Sequence, residues 1–264
     1  MIKRFFKRIG RIVYRMAFML RYLIFSHNRI VKRLKSYGIT DIKMYNVRIW
    51  YIGLVRGKTT GKKVIRFFYK ATYDEKPCFI KLEKYFTQRS EYCSTIREIR
   101  AYKQMSKFDL EFIPALLLSD ESYEKNTAMI ATEFIPDLMN FKIPIDKKEF
   151  EVICEQLEHI HGQMREADIV HGDLSVSNLS MTKDQHIVII DFGIAYSPTF
   201  KAFQLDTAHV GTHFKVSENK CIYDNAYSFL RIMDDCGISE TFKQEECYKR
   251  LQRLVGAHTH VINI

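Results

Sequence analysis

The amino-acid sequence predicts an α+β fold in which a basic helical segment is followed by a strand-rich part and then by a mainly helical part. The first observation is an N-terminal segment in which apolar residues recur at three- and four-residue steps, with basic residues between them. The second is a series of aromatic and β-branched runs, separated by turns, that begins near residue 39. The third is a pattern of helical period over about 147–165. At 264 residues the chain can form one large domain or two small lobes.

The net charge of +10 is concentrated at the N-terminus. Eleven of the 41 Lys and Arg residues lie within residues 1–35, before the first acidic residue, Asp41. The other Lys and Arg residues are balanced by 31 Asp and Glu, so the rest of the chain is nearly neutral. We therefore predict a separate basic amphipathic helical segment over residues 1–38. Its apolar runs are far shorter than the ~20 residues that span a bilayer.

Two interpretations of this segment stay open. It can lie on an anionic membrane surface through residues 1–35, which predicts a cytoplasmic protein peripheral to the inner face of the membrane. Alternatively, its apolar stripe packs on the adjacent lobe. Nucleic-acid binding ranks below both interpretations, because large aliphatic residues are interleaved with the basic ones.

Arg21 interrupts the apolar stretch and no small-residue cleavage site follows, which argues against a secretory signal peptide. Six cysteines without a CxxC pair favour a reducing, intracellular setting.

The strand-rich part is predicted to form a small β-rich lobe over residues 39–136, and residues 137–264 a helical lobe. A short apolar strand is predicted to end on Lys81 after a turn at DEKP. Another turn, GKTTGKK, lies between two earlier strands. It lacks the spacing of a Walker phosphate loop, but Gly57 and Gly61 remain candidates for a hairpin turn that covers nucleotide phosphates.

The stretch SEYCSTIREIRAYKQM predicts a helix with Ile96 and Ile99 on one face. This helix carries Glu98, which follows Lys81 by 17 residues. An ion pair between them would fix the lysine ammonium against nucleotide phosphates. Glu91, two turns earlier, is the alternative partner, and the sequence leaves the choice open.

The run TAMIATEFIPD over 127–137 predicts an apolar strand that ends at Glu133–Ile135, just before Pro136. Proline has no N–H to donate, so a strand that stops there leaves backbone groups unpaired. Those groups could bind the edge of an adenine, which makes Glu133 and Ile135 candidate nucleotide-binding residues.

The residues with the clearest chemistry lie in HGDLSVSN and in the following DFG. Asp173 and Asn178 lie on one loop, and Asp191 begins the next after the apolar strand HIVII. Mg²⁺ prefers hard oxygen ligands such as a carboxylate and an amide carbonyl, which Asp191 and Asn178 supply. Asp173 is then available to orient an acceptor hydroxyl and to take its proton, as phosphoryl transfer requires.

In this order and spacing the motifs resemble those of the protein-kinase-like superfamily, H-x-D-x₄-N followed by D-F-G. The match covers about residues 45–235, with Glu133–Ile135 in the place of the hinge. The resemblance implies a bilobal protein-kinase-like fold with a small β-rich N-lobe and an abbreviated helical C-lobe. It also implies that the protein binds ATP and Mg²⁺. The implied site residues are catalytic Asp173 and Lys81, nucleotide-binding Lys81, Glu98, Glu133, Ile135, Gly57 and Gly61, and metal-binding Asn178 and Asp191.

The sequence departs from the pattern of ordinary protein kinases at several positions. Gly172 replaces the arginine of H-R-D, which makes control by activation-loop phosphorylation doubtful, and Ser175 replaces a lysine that contacts the transferred phosphate. No A-P-E follows, and the remaining chain is too short for a full C-lobe. A helix that opens with Asp224 is expected to brace the catalytic loop. This abbreviated form resembles small atypical kinases: the RIO-type kinases, the small kinase of the tRNA-threonylcarbamoyl complex and bacterial lipopolysaccharide-core sugar kinases.

We expect an ATP-dependent kinase that phosphorylates a hydroxyl of a membrane-associated glycan or glycolipid, like the lipopolysaccharide-core kinases, because the cationic segment suits a membrane-bound acceptor. The alternative is an atypical protein serine/threonine kinase of RIO type. The alternative from another class is a membrane-bound pseudokinase that serves as a binding module. His258 and His260 are expected to lie on one face of a strand and to form no site.

Overall fold

The computed structural model describes residues 27–55, 58–85, 94–108, 110–124, 127–200, 215–217 and 220–263. Within these ranges an antiparallel five-stranded sheet packs with a group of helices and two small sheets, which confirms the predicted α+β, bilobal kinase-like fold. The helices are α1 (described over 27–36), α2 (Ser94–Met105), α3 (Lys147–Glu166), α4 (Asn225–Asp235), α5 (Glu240–Lys243) and α6 (Glu246–Leu254). The strands are β1 (Thr40–Val55), β2 (Lys58–Tyr73), β3 (Lys76–Tyr85), β4 (Leu116–Glu124), β5 (Thr127–Glu133), β6 (Met139–Asn140), β7 (Leu179–Met181), β8 (Ile187–Ile189), β9 (Lys215–Ser217), β10 (Lys220–Asp224) and β11 (Thr259–Asn263).

The five-stranded sheet has the order β1-β2-β3-β5-β4. The turn between β2 and β3 occurs at DEKP, as predicted, and it is tight because Tyr73 pairs with Lys76. Its two central residues, Asp74 and Glu75, have φ values of 49° and 61°. Positive φ at both positions is characteristic of a type I′ hairpin, whose twist matches that of the strands it joins.

Two predictions about the strands are corrected. The stretch GKTTGKK is not one long turn, because Val55 pairs with Lys58 and β2 already begins there. Gly61 therefore lies inside β2, while Gly57 lies outside the described residues. In addition, β3 does not end on Lys81 but continues to Tyr85, since its pairing with β2 continues.

Alternation along β2 and β3 gives the sheet two different faces. One face carries apolar side chains that form a core with α1: Ile65, Phe67, Tyr69, Ile80 and Leu82 of the sheet and Ile30 and Leu34 of the helix. Lys81 and Glu83 project from the opposite face, where they contact α2. Over 27–36 the N-terminal segment therefore packs on the lobe. Residues 1–26 lie outside the described ranges, so membrane binding remains a prediction.

A second core joins α2 to the helical part of the chain. The apolar face predicted for α3 is buried, with Phe150, Ile153 and Leu157 fully inaccessible. Asp146 caps the start of this helix, because its Oδ1 accepts the Glu149 N–H at 3.0 Å and so satisfies a backbone donor of the first turn. No helix in the described ranges combines the length and the apolar character needed to cross a membrane.

A third sheet, β11-β10-β9, was not predicted as such from the sequence. Its outer strand β11 runs antiparallel to β10, and His260 pairs with Tyr223. The expectation of a strand near His258 and His260 is thus confirmed for His260, while His258 directly precedes the strand. This sheet brings the C-terminal end of the described chain next to the end of α3.

Candidate active site

Lys81, in β3, lies between two carboxylates. Its Nζ is 2.6 Å from Glu98 Oε2 and 2.7 Å from Asp191 Oδ1. Lys81 and Glu98 are buried, whereas the Asp191 side chain is 45% exposed and can be reached from solvent. In the described chain Lys81 therefore pairs with Glu98, and the alternative partner Glu91 lies outside the described residues.

Lys81 and Asp191 stabilise each other's charge. Burial alone would lower the pKa of Lys81, but the carboxylates of Asp191 and Glu98 outweigh burial and raise it above its ordinary value. Lys81 in turn holds the pKa of Asp191 well below its usual range. Burial raises the pKa of Glu98. The result is a fixed ammonium beside an ionised and partly accessible carboxylate, an arrangement suited to a nucleotide phosphate and its cation.

Arg66, Glu83 and Ser94 form a buried network that sets the start of α2. Glu83 is fully buried, and its Oε2 is 2.7 Å from Arg66 Nε. It also accepts the Ser94 N–H at 3.0 Å and the Ser94 hydroxyl at 2.7 Å. An anion at the first residue of a helix satisfies a free backbone donor and interacts favourably with the helix dipole. The network therefore fixes the helix that carries Glu98.

Asp173 and Asn178 are hydrogen-bonded within one loop. Asn178 Nδ2 donates to the Asp173 backbone oxygen at 2.7 Å and lies 3.4 Å from Asp173 Oδ2. The amide oxygen of Asn178 is the atom suited to bind a cation, because it carries the lone pairs and Nδ2 only donates. The Ile190 N–H donates to the backbone oxygen of Asn178 at 3.0 Å. This bond places Asn178 next to the segment that carries Asp191.

The protonation behaviour of Asp173 differs from that of Asp191. Burial, with a further contribution from Asp191, raises the pKa of Asp173 to about 6. A carboxylate whose pKa lies near the working pH can accept a proton and release it again, which is the property of a general base. Asp191, in contrast, stays ionised because Lys81 stabilises its charge.

His171 connects the loop of Asp173 to the loop of Asp191. Its Nε2 is 2.9 Å from Ile190 O, and the Asp173 N–H donates to its Nδ1 at 3.3 Å. Burial lowers the pKa of His171 to about 4, so the ring is neutral at pH 7. Both contacts fit one tautomer, in which Nε2 carries the hydrogen. Phe192 packs against the ring with a centroid distance of 4.6 Å, which fixes its position further.

Helix α4 braces the catalytic loop, as the sequence predicted, and it does so through Asn225. Asn225 Nδ2 donates to Ile169 O at 3.0 Å, and its Oδ1 accepts the His171 N–H at 3.0 Å. Asp224 instead caps the helix, accepting the Tyr227 N–H at 2.9 Å. Helix α4 therefore opens with Asp224, as predicted, and holds the catalytic loop through the next residue, Asn225.

The nucleotide-binding role predicted for Glu133 and Ile135 stays a prediction, and the structure shows which backbone N–H groups are already used. Strand β5 ends at Glu133, as expected, but the Glu133 N–H donates to Ala115 O at 2.8 Å. The Phe134 N–H donates to Pro77 O at 3.0 Å. Within the described part of the chain, the Ile135 N–H has no acceptor. Ile135 therefore keeps a backbone donor for a ligand, whereas the N–H of Glu133 is used inside the fold.

The structure thus brings together Lys81, Glu98, Asp173, Asn178 and Asp191. Gly61 lies inside β2 and Gly57 lies outside the described residues, so a glycine turn that covers nucleotide phosphates stays a prediction.

Sequence reasoning missed Arg66, Glu83, Ser94 and Asn225. A signal existed for Glu83, because residues two apart in a strand share a face and Glu83 follows Lys81 by two. Nothing in the sequence separates Asn225 from its neighbour Asp224.

The donor set of this site fits Mg²⁺. Asn178 and Asp191 offer an amide oxygen and a carboxylate, which are hard ligands of the kind this ion takes. When bound, the ion would neutralise charge on the nucleotide phosphates.

Comparison with known proteins agrees with this geometry. Residues 70–224 match the family model described as the RIO domain. A KEOPS complex subunit Bud32 of Pyrococcus abyssi is 28% identical over 127 residues, which cover 46% of this chain and 56% of that protein. A probable bifunctional tRNA threonylcarbamoyladenosine biosynthesis protein of Methanosarcina mazei is 24% identical over 139 residues, or 50% of this chain and 24% of that protein. The chain spans less than two thirds of either relative.

The matched region contains every residue of the cluster around Lys81, and the resemblance to the protein-kinase-like superfamily is confirmed. Members of this group use ATP and Mg²⁺, in agreement with the donor set described above. The chain belongs to the RIO-domain family of atypical, protein-kinase-like enzymes.

Proposed function

We propose that the protein is an ATP-dependent phosphotransferase of RIO type whose acceptor is the hydroxyl of a protein Ser or Thr side chain. The observation that carries the phosphotransferase part is the Lys81 ammonium, held between Glu98 and Asp191. The protein acceptor is supported by the RIO-domain match.

The chain's own residues have separate tasks in this reaction. Lys81 holds the nucleotide phosphates, and Asn178 and Asp191 hold the cation. Asp173 orients the acceptor hydroxyl and takes its proton as the bond from the acceptor oxygen to the γ-phosphorus forms. The bond from that phosphorus to the bridging β-oxygen breaks, and ADP leaves. The network of Glu83 and the ring of His171 hold these groups in place.

The glycan or glycolipid acceptor that the sequence led us to expect has no support from the relatives. The RIO-type alternative agrees better with the family match. The lipid-linked glycan is therefore the competing outcome in the experiment that tests the acceptor.

The acceptor is tested by incubating the full-length protein with γ-labelled ATP, Mg²⁺ and three separate acceptor fractions. These are dephosphorylated protein, lipid-linked glycan and small sugars. Asp173→Asn is compared with Asp184→Asn, an exposed acid in the turn before β8. We expect label in the protein fraction, a loss of about 10²–10⁴-fold with Asp173→Asn, and no change with Asp184→Asn. Label in the glycan fraction alone would exclude a protein acceptor, and full turnover by Asp173→Asn would exclude that residue as the base.

The pH dependence of the wild-type enzyme gives a second measurement. Asp173 must be ionised to accept a proton, and its pKa is about 6. We expect kcat/KM to rise with pH through this value and to level off above it. Asp191 does not contribute to this rise of kcat/KM with pH, because Lys81 keeps its carboxylate ionised at lower pH. A profile that is flat across this range would contradict the role of Asp173.

A further inference from the structure

Asp168, His258 and His260 form a compact cluster apart from the phosphoryl-transfer site. Asp168 Oδ1 is 3.2 Å from His258 Nε2 and 3.0 Å from His260 Nε2. The two Nε2 atoms are 3.2 Å apart. We propose that these three side chains bind a divalent transition-metal ion of the zinc class. This proposal replaces the expectation that the two histidines form no site.

The separations within the cluster are close to those of a metal centre. A tetrahedral ion bound by imidazole nitrogen and carboxylate oxygen at about 2.0–2.2 Å holds neighbouring ligand atoms about 3.3–3.6 Å apart, a few tenths of an ångström more than here. The three measured separations lie between 3.0 and 3.2 Å. Two imidazoles and one carboxylate suit Zn²⁺ and its transition-metal neighbours, whereas Mg²⁺ and Ca²⁺ take oxygen ligands. Asp168 is 46% exposed on its side chain, which leaves a position for water as the fourth ligand.

Hydrogen bonds without an ion would require a less favourable arrangement. Each neutral imidazole carries one N–H. Both N–H groups would have to point at the same Asp168 oxygen while their nitrogens lie side by side at 3.2 Å, or one ring would have to be protonated. A cation replaces these protons and allows the lone pairs of all three ligands to converge on one positive charge.

The position of the cluster assigns the ion a structural role. Asp168 follows the end of α3, only three residues before His171, while His260 lies in the C-terminal strand β11. The His260 ring also packs edge-on against Tyr196, with centroids 5.0 Å apart. The His258 and His260 side chains are only 9% and 14% exposed, so the site is largely closed. The ion would therefore fasten the C-terminal strand to the segment that leads into the catalytic loop.

The test uses the full-length protein after chelator treatment and dialysis. Co²⁺ is titrated in, and its visible ligand-field absorption is followed, since Co²⁺ reports the geometry of zinc-class sites. Wild type is compared with Asp168→Asn and His260→Gln. The matched control is His159→Gln, which changes an exposed histidine of α3.

We expect one Co²⁺ per chain, displaced by Zn²⁺, and an affinity at least about tenfold weaker in each ligand variant, since even outer-shell partners change affinity by that much. Zn²⁺ should raise the Tm of wild type and of His159→Gln, because a ligand that binds only the folded state stabilises it. It should not raise the Tm of Asp168→Asn.

Equal affinities in wild type and the ligand variants would overturn the proposal, leaving two imidazoles that share a carboxylate without an ion. A sulfur-to-cobalt charge-transfer band would overturn it as well, since it would place the ion on cysteine. Either result leaves the proposed kinase function untouched, because that function uses no residue of this cluster.

Discussion

Gly172 shows how backbone geometry decides one position of the catalytic loop. Its φ is +76°, and a Cβ at this position would lie 2.7 Å from the backbone oxygen of Ile194. It would also lie 3.3 Å from the Tyr223 ring. A side chain here is therefore strained in conformation and blocked by backbone, which leaves glycine. This steric limit explains why glycine stands at position 172 in place of the arginine of the H-R-D pattern.

We predict that Gly172→Ala lowers the free energy of unfolding by at least about 1–2 kcal/mol, through left-handed strain and the clash with Ile194. Gly162→Ala is the matched control. It adds the same methyl group inside α3, where nothing lies within 4 Å, and should raise the free energy of unfolding by about 0.5–1 kcal/mol. Urea denaturation of the two variants and wild type measures both changes. Effects of the same sign at the two positions would contradict the explanation.

The residues that carry chemistry could be predicted where they lie close together in the sequence, on one loop or on the next. Asp173, Asn178 and Asp191 were found because their spacing alone points to a carboxylate, an amide and a second carboxylate around a phosphate. The partner of Lys81 could not be chosen, because Glu91 and Glu98 lie on the same predicted helix. Asp168 and the two histidines were not connected at all, since about 90 residues of chain separate them. Only the packing of β11 beside the end of α3 brings them together.

At the level of elements, the network of Glu83 ties β2, β3 and the start of α2 into one unit. Burial would raise the pKa of Glu83, but Arg66 and Lys81 outweigh burial and lower it below its ordinary value. Glu83 therefore stabilises the fold at any pH above its pKa in the unfolded chain, about 4.3. This stabilisation is lost as the pH falls through the lower pKa of the folded state.

We predict that Glu83→Gln lowers the free energy of unfolding at pH 7 by about 3–5 kcal/mol, because it removes one member of a buried ion pair. The difference from wild type should shrink as the pH falls below about 4, where Glu83 of the unfolded chain takes up a proton, and should vanish below the lower pKa of the folded state. Glu121→Gln serves as the control, since its pairs with Arg100 and Lys103 lie at the surface and contribute at most about 1 kcal/mol. Urea denaturation at both pH values tests this, and equal losses in the two variants would argue against the network.

The elements themselves were predictable where local signals decide them. The turn at DEKP and the apolar face of α3 follow from local sequence patterns, and both are found. GKTTGKK was misassigned because glycine and lysine favour a turn locally, whereas pairing with β1 extends the strand through Gly61. Strand β11 and its sheet depend on pairing between residues distant in sequence, and no local pattern encodes such a register.

At the scale of the whole molecule, the two faces of the five-stranded sheet have different uses. One face supplies Lys81 to the site, and the other is covered by α1 through Ile30 and Leu34. The charge of the chain is also unevenly distributed, because the excess of basic residues lies within residues 1–35. We propose that this segment attaches the protein to an anionic membrane surface. Because α1 packs on the sheet, the residues that bind the membrane would lie mainly before residue 27.

Deletion of residues 1–26 tests this proposal, because it removes seven of the eleven basic residues and retains α1. We expect the truncated protein to unfold as cooperatively as the full chain and to lose binding to vesicles rich in anionic lipid, since each basic residue near the headgroups contributes about 1 kcal/mol. Leu34→Ala in the full chain should lower stability and leave vesicle binding unchanged. Leu34 is fully buried, so its truncation should lower the free energy of unfolding by about 2–5 kcal/mol. Co-sedimentation with anionic and neutral vesicles, at low and high salt, measures the first effect, and urea denaturation measures the second. Equal sedimentation of the full chain with both kinds of vesicle would exclude the membrane role, and a truncated protein without a cooperative transition would show that residues 1–26 belong to the fold.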